Sequence, residues 1–311
     1  MAHDTIVTGI GLLGSRLMPL LFEKGYNPIG IDMATDVDPV KGEVRQIDIT
    51  DLKALKKFFS SEKPEVVFHT AALTNVDKNE TDPALAQQVN VLGTKNIGLA
   101  AKKAKACVVY VSTDFVFDGK KGMYKETDKP NPLSVYGKTK LDSEKELAAT
   151  GAEHAIVRTA VLYGSYRLRF NFVTWVIDSL RAKKPMTLVN DQFNSPTLAD
   201  DLANVLLKIY ESKKRELFHT GGSERINRYD FGLRIAKVMG LDPSPISAIT
   251  TDKLDLKAKR PMDGSLDVTK VAKVIGHKMM NIGQGLSIVK AQELKLGPGG
   301  SVDVTNIKER R

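Results

Sequence analysis

Tyr136 and Lys140 stand one helical turn apart and offer the clearest chemistry in the chain. The preceding Lys129-Pro130-Asn131-Pro132 interrupts any earlier element. Ser134 has the side chain of a helix N-cap, and Leu141 to Leu147 is rich in helix formers. On such a helix the two side chains share a face. An ammonium beside a phenol is expected to stabilise the phenolate and draw the phenol pKa down from about 10 toward neutral pH, giving a proton donor. The same spacing also suits two solvent-facing helix residues. Catalysis therefore needs more: a cofactor, a hydroxyl to hold a carbonyl oxygen, and a pocket.

Each has a candidate. Ser112 and Thr113 close the apolar run Val108-Val109-Tyr110-Val111, and hydroxyls at a strand's carboxyl end sit where open α/β sheets bind ligands. Gly9-Ile10-Gly11-Leu12-Leu13-Gly14 follows the strand-like Thr5-Ile6-Val7 and precedes an apolar helix. That is the context in which a Gly-x-Gly-x-x-Gly loop lets its backbone approach a pyrophosphate. Pro19 inside that helix is tolerable near its first turns or as a kink. Asp32 ends the next strand, Asn27 to Asp32, 18 residues after Gly14, close to the usual spacing of the ribose-binding acid. It also suits a strand-end turn. Asp48, at the end of a strand predicted over Val44 to Ile49, either accepts from an adenine amino group or caps the helix beginning near Leu52. Ala71 and Ala72 are small residues after the strand Glu65 to Thr70, where a cofactor could approach the backbone; His69 in that strand reads as a packed histidine. Asn90 falls in a polar stretch of a helix predicted from Asp82-Pro83 to about Lys105, facing the sheet.

These elements alternate strand and helix six times over about 160 residues with short connections, which predicts an α/β fold with a doubly wound, Rossmann-like parallel sheet. Residues 1–163 form the expected dinucleotide-binding domain, with 196–220 packing back on it. Residues 164–195 and 221–296 form a smaller mixed α/β substrate part, and 297–311 an expected mobile tail. In the second part helices are predicted over Phe172 to Leu180, Leu198 to Tyr210, Arg228 to Met239 and Val268 to Ile275. Strands are predicted at Met186 to Val189 and Glu216 to His219, and Asn190 to Thr197 is a predicted polar loop.

Composition restricts the function. The 311 residues are 42% hydrophobic and 27% charged, ordinary for a soluble globular protein. No apolar run approaches about 18 residues, so no membrane helix is expected, and a cytoplasmic location is the default. The single cysteine, Cys107, lies in an apolar run and reads as a buried thiol; the five histidines form no metal-ligand pattern. The net charge of +9 is spread over many helices without interleaved aromatics, which suits an anionic small molecule better than a nucleic acid.

Several motifs together resemble the extended short-chain dehydrogenase/reductases, and within them the dTDP-4-dehydrorhamnose reductase group. They are Ser112-Thr113-Asp114-Phe115-Val116-Phe117-Asp118-Gly119, Tyr136-Gly137-Lys138-Thr139-Lys140, Arg158 to Gly164, Val189-Asn190-Asp191-Gln192 with Ser195-Pro196-Thr197, and Arg260-Pro261 before Ser265-Leu266-Asp267. The resemblance covers roughly residues 5–295. It implies a catalytic set of Thr113, Tyr136 and Lys140, with Lys140 also holding the nicotinamide ribose. The implied cofactor contacts are Gly9, Gly11, Leu12, Leu13, Gly14, Asp32, Asp48, Ile49, Ala71, Ala72 and Asn90. Substrate contacts are expected at Thr74, Val76, Asp114, Phe115, Val161, Asn171, Gln192 and Arg260, the last as a bidentate binder of a diphosphate or else a surface arginine. The expected substrate is a nucleotide-linked 4-keto-sugar, and a homodimer is an open option. Because Asp32 is acidic and Met33-Ala34-Thr35 carries no positive charge, NAD(H) is expected over NADP(H), with Arg16 as the residue that could reverse this. The chain departs from the resembled reductases in a glycine loop one residue shorter and in Phe115 and Val161, where tyrosine and tryptophan are common. Relatives of the fold include sugar-nucleotide epimerases and the regulatory β subunit of methionine adenosyltransferase.

Overall fold

The computed structural model describes residues 2–34, 41–165 and 171–296; the expectations for Thr35 and for the tail after 296 fall outside the described residues. The chain opens β1 (Thr5–Thr8), α1 (Gly14–Glu23), β2 (Pro28–Asp32), β3 (Val44–Gln46), α2 (Leu52–Glu62) and β4 (Val66–His69). Then follow α3 (Val76–Thr81), α4 (Pro83–Ala86), a π-helical turn (Gln87–Leu92), α5 (Gly93–Ala104), β5 (Cys107–Thr113), α6 (Val135–Thr150) and β6 (His154–Thr159). The remainder is β7 (Leu162–Tyr163), α7 (Phe172–Arg181), β8 (Met186–Val189), β9 (Phe193–Asn194), β10 (Thr197–Leu198), α8 (Ala199–Glu211) and β11 (Leu217–His219). Last come β12 (Ile226–Asn227), α9 (Arg228–Met239), β13 (Ile246–Ile249), α10 (Thr269–Ile275) and α11 (Ile282–Leu296).

Seven strands form one parallel sheet in the order β11-β6-β5-β4-β1-β2-β3. All four residues of β1 and of β4 are buried, because helices cover both faces. Side chains alternate across the sheet. Val7, Phe68 and Val109 join Leu17, Leu21 and Leu206 in one core, while Ile6, Val67 and Val108 join Leu55, Phe59 and Ile97 in the other. Each such fully buried side chain stabilises the fold by about 1.5–3 kcal/mol. The connections run outward in both directions from β1 and β4, so a crevice opens at the carboxyl ends of these strands.

The remaining elements build a third core, in which Val173, Val176 and Ile177 of α7 meet Phe231 and Ile235 of α9 and Leu286 and Val289 of α11. Beside it β8 pairs in parallel with β13, β7 in parallel with β10, and β9 antiparallel with β12.

Four local expectations are corrected. The strand predicted to Ile49 stops at Gln46, because Asp48 closes a turn by accepting from Thr50 N at 2.8 Å and from Asp51 N through its own carbonyl at 3.1 Å. The helix predicted from Asp82 to Lys105 is interrupted by the π-helical turn; Asp82 caps its first turn through Leu85 N at 3.0 Å. The polar loop from Asn190 holds β9 and β10. Helix α11 was not anticipated, since Gly283 and Gly285 lower helix propensity at its start. Gly285 is there because any side chain would strike the Tyr163 hydroxyl.

Candidate active site

The glycine loop leaves β1 at the crevice. Gly9 has φ +79°, a left-handed conformation, and a Cβ there would lie 2.7 Å from the Ala71 backbone. A Cβ at Gly14 would run into the Gly9 carbonyl oxygen, whereas around Gly11 nothing lies within 4 Å of that position. Two glycines thus make the turn, and the middle one leaves room for a group to approach the backbone just before α1. Leu12 and Leu13 complete the loop, with the Leu12 carbonyl accepting from Ser15 Oγ at 3.0 Å. This cradle fits a dinucleotide pyrophosphate. Asp32, at the end of β2, accepts from Ile10 N at 2.7 Å and Ala34 N at 2.9 Å, so its carboxylate is fixed against the loop. Arg16, early in α1, has its Nε 3.6 Å from Asp200 on α8.

The far side of the crevice is less open. Asp51, not Asp48, caps α2, accepting from Ala54 N at 3.0 Å. Ile49 is buried against Gly93. Ala71 and Ala72 are half-buried after β4. Asn90 sits in the π-helical turn with its side chain fully occupied: it accepts from Leu73 N at 2.8 Å and donates to Asn79 at 3.2 Å and Thr139 at 3.1 Å. It therefore ties the turn to the helix that carries Tyr136. His69 bonds Thr8 at 2.6 Å and Thr94 at 3.0 Å and stacks on Tyr110; burial pushes it down to about 3, so it is neutral.

Thr113 ends β5 and donates to Asp114 Oδ1 at 2.9 Å while accepting from Phe115 N at 3.2 Å. Ser134 caps α6 through Gly137 N at 3.2 Å. Gly137 lets α6 press on this turn, since a side chain there would collide with the Phe115 carbonyl. The contact brings the Phe115 ring edge-on to Tyr136, with centroids 5.5 Å apart. Tyr136 and Thr113 are both buried. Lys140 is buried one turn on; its ammonium donates to the Val111 carbonyl at 2.8 Å and lies 4.2 Å from the Tyr110 ring centroid.

The electrostatics correct one expectation. Burial pushes the Tyr136 phenol up rather than down; the Thr113 side chain offsets part of the rise and Asp114 adds to it. The phenol stays protonated. Burial lowers Lys140 to about 7, opposed by Glu144. Burial likewise raises Asp114 to about 7, against the pull of its Thr113 hydrogen bond. Beneath Lys140 is a network without a sequence signature beyond an acid at i+4. Glu144 accepts from Arg158 at 2.9 and 2.7 Å and from Ser112 at 2.5 Å.

The remaining substrate-side candidates are spread over several elements. Thr74 is exposed, and Val76 starts α3. Arg260 bonds Asp77 Oδ2, beside Val76, at 2.8 Å and the Ala258 carbonyl at 3.3 Å. Asn171 caps α7 and donates to the Gly164 carbonyl at 2.8 Å, so its side chain is engaged locally. The Val161 carbonyl accepts from Thr197 N at 2.9 Å, and Gln192 donates to Thr251 at 2.9 Å. Arg228, which carried no motif, acts electrostatically on Asp114.

Among the described residues no helix is long and apolar enough to cross a membrane. The family model described as "RmlD substrate binding domain" matches residues 4–293. The chain is 33% identical over 305 residues to the dTDP-4-dehydrorhamnose reductase of Aggregatibacter actinomycetemcomitans, covering 94% of this chain and 99% of that one. It is 30% identical over 291 residues to methionine adenosyltransferase 2 subunit beta of Xenopus laevis, covering 91% and 84%. The solved dTDP-4-dehydrorhamnose reductase of Clostridium acetobutylicum superposes with a TM-score of 0.84 at 34% identity, over 93% of this chain and 98% of that one. That of Bacillus anthracis, in complex with NADP, superposes with a TM-score of 0.86 at 26% identity, over 94% and 100%. With its parallel sheet and glycine loop, the chain belongs to the RmlD family of extended short-chain dehydrogenase/reductases, a family of NAD(P)-dependent oxidoreductases.

Proposed function

We propose that this protein reduces the 4-keto group of a nucleotide-linked sugar. The observation that carries this reading is the grouping of Thr113, Tyr136 and Lys140 at the carboxyl end of β5, the same edge of the sheet at which the glycine loop leaves β1. A nicotinamide cofactor, when bound, supplies the hydride. Gly9 to Gly14 and the start of α1 hold its pyrophosphate, Asp32 its adenosine ribose, and Asp48, Ile49, Ala71 and Ala72 line the remainder. Asn90 acts through Thr139, as a positioning residue. Lys140 holds the nicotinamide ribose.

At the sugar, the Tyr136 phenol is kept protonated by burial and gives its proton to the carbonyl oxygen as negative charge develops there. The Thr113 hydroxyl turns its hydrogen from Asp114 to the same oxygen. Residues 1–163 and 196–220 hold the cofactor and contribute Thr74, Val76, Asp114, Phe115 and Val161 to the substrate; 164–195 and 221–296 form the substrate part and add Asn171, Gln192 and Arg260. Phe115 and Val161 present apolar surface to the sugar.

The test is oxidation of NADH and NADPH in the presence of a panel of nucleotide-linked keto-sugars. Turnover of at least one is expected, with dTDP-4-dehydrorhamnose turned over less well than another member, because Phe115 and Val161 remove polar and stacking groups. Failure with every member overturns the reading. Interconversion of sugar epimers without net cofactor oxidation would make the chain an epimerase instead. The 30% identity to a methionine adenosyltransferase subunit favours one other reading, a regulatory subunit, which predicts binding to a methionine adenosyltransferase and no turnover.

A further inference from the structure

Arg228 is the first residue of α9 and follows the helix cap Asn227. It is half-buried, yet it makes no hydrogen bond or ion pair with any described residue; its guanidinium lies over the face of Phe172, 5.2 Å from the ring centroid. A guanidinium has five donors, and leaving them without acceptors in a partly desolvated place is costly. The position adds a second cost, since the first turn of a helix is the positive end of its dipole. Arg260 nearby adds a like charge, and burial lowers the Arg228 pKa, partly offset by Asp114. Asp114 does not resolve the charge: it accepts from Thr113 and is raised to about 7 despite Arg228.

The surroundings are the substrate wall. Phe172 follows Asn171, and Asn227 pairs across β12–β9 with Phe193, the neighbour of Gln192. Arg260, by contrast, is held by Asp77 at 2.8 Å and by the Ala258 carbonyl. Two guanidinium groups therefore share one corner, and among the described residues Arg228 is the one with no acceptor.

We propose that Arg228 is an oxyanion-binding residue of the substrate site, taking an anionic oxygen of the nucleotide-sugar, either on its diphosphate or on a carboxylate of the sugar. The proposal rests on the nucleotide-sugar reading above. The probes are dTDP and UDP alone, a neutral nucleotide hexose and a nucleotide hexuronate, each titrated calorimetrically into wild type, Arg228→Gln and Arg228→Lys. Binding of NAD(H) and NADP(H) serves as the control for a folded variant.

Arg228→Gln is expected to weaken binding by about tenfold or more, the scale of a charge-assisted bond, with Arg228→Lys in between. Equal losses for all probes assign the diphosphate; a loss confined to the hexuronate assigns the carboxylate. If wild type binds these probes and Arg228→Gln binds all of them equally well, the proposal is overturned and the substrate reading stands. If wild type binds none of them while cofactor still binds, both fall.

Discussion

Arg158 clamps Glu144 through two hydrogen bonds, Nε to Oε1 at 2.9 Å and Nη2 to Oε2 at 2.7 Å, one helical turn beyond Lys140. The carboxylate thus held is the group that opposes the loss of charge on Lys140. The sign follows directly. Lys140 is charged below about 7 and neutral above it, so work that needs the ammonium fades as pH rises through that value. We expect kcat/KM, which reports the free enzyme, to fall on the alkaline side of about 7. In Glu144→Gln the falling limb should move to lower pH. The variant should also lose about 3–5 kcal/mol of stability in urea, because Arg158 is left buried without its partner. A pH limb unmoved in Glu144→Gln would separate Glu144 from Lys140.

The proton donor is tested by Tyr136→Phe. Removing a general acid is expected to lower turnover by about 100-fold or more. Cofactor affinity should hold, because the role proposed for the phenol is toward the substrate. Lys140→Met should damage both turnover and cofactor binding. Near-normal turnover by Tyr136→Phe with a true substrate would sink the assignment.

The fold was legible because its signals are local. Thr5 to Val7, Val66 to His69 and Val108 to Val111 are short apolar runs, and each leads into glycine or small polar residues where a sheet's ligand crevice begins. The glycine loop carried its reason on its face, since Gly9 needs a left-handed backbone and Gly14 a close approach. What stayed hidden depends on distant partners. Arg228 looks like any arginine in a helix until the fold brings Phe172 and Asp114, from far along the chain, near it. The Tyr136 phenol was misjudged for the same reason: the i+4 spacing to Lys140 is local, but burial and the position of Asp114 decide its protonation.

Asp114 and Lys140 make the site costly at neutral pH, and this is measurable as stability. An ordinary aspartate ionises near 3.8, and Asp114 is held protonated to about 7. Between those values the unfolded chain binds fewer protons, so stability falls as pH rises. For Lys140 the unfolded chain binds more protons between about 7 and 10.5, so stability recovers across that window. Asp114→Asn removes the first loss. The variant is expected to gain little below pH 4 and most at and above pH 7, read from denaturant midpoints. A gain independent of pH would point to packing rather than ionisation.

We expect the cofactor preference to turn on Asp32. Its carboxylate is pinned by Ile10 N and Ala34 N beside the glycine loop, where it retains lone pairs for ribose hydroxyls. A 2′-phosphate placed there would meet a like charge at a cost of roughly 1–4 kcal/mol across water-like to surface dielectric. That corresponds to about tenfold to several-hundred-fold in preference. Arg16, the residue that could reverse this, lies toward Asp200 with its Nε 3.6 Å from the carboxylate. We therefore expect kcat/KM to favour NADH over NADPH in the wild type and the ratio to shrink in Asp32→Ala. Asp200→Asn should release Arg16 and shift the ratio toward NADPH, an effect that Arg16→Gln in the same background should cancel. A wild-type preference for NADPH would overturn this reading of Asp32, and its persistence in Arg16→Gln would exclude Arg16 as the cause.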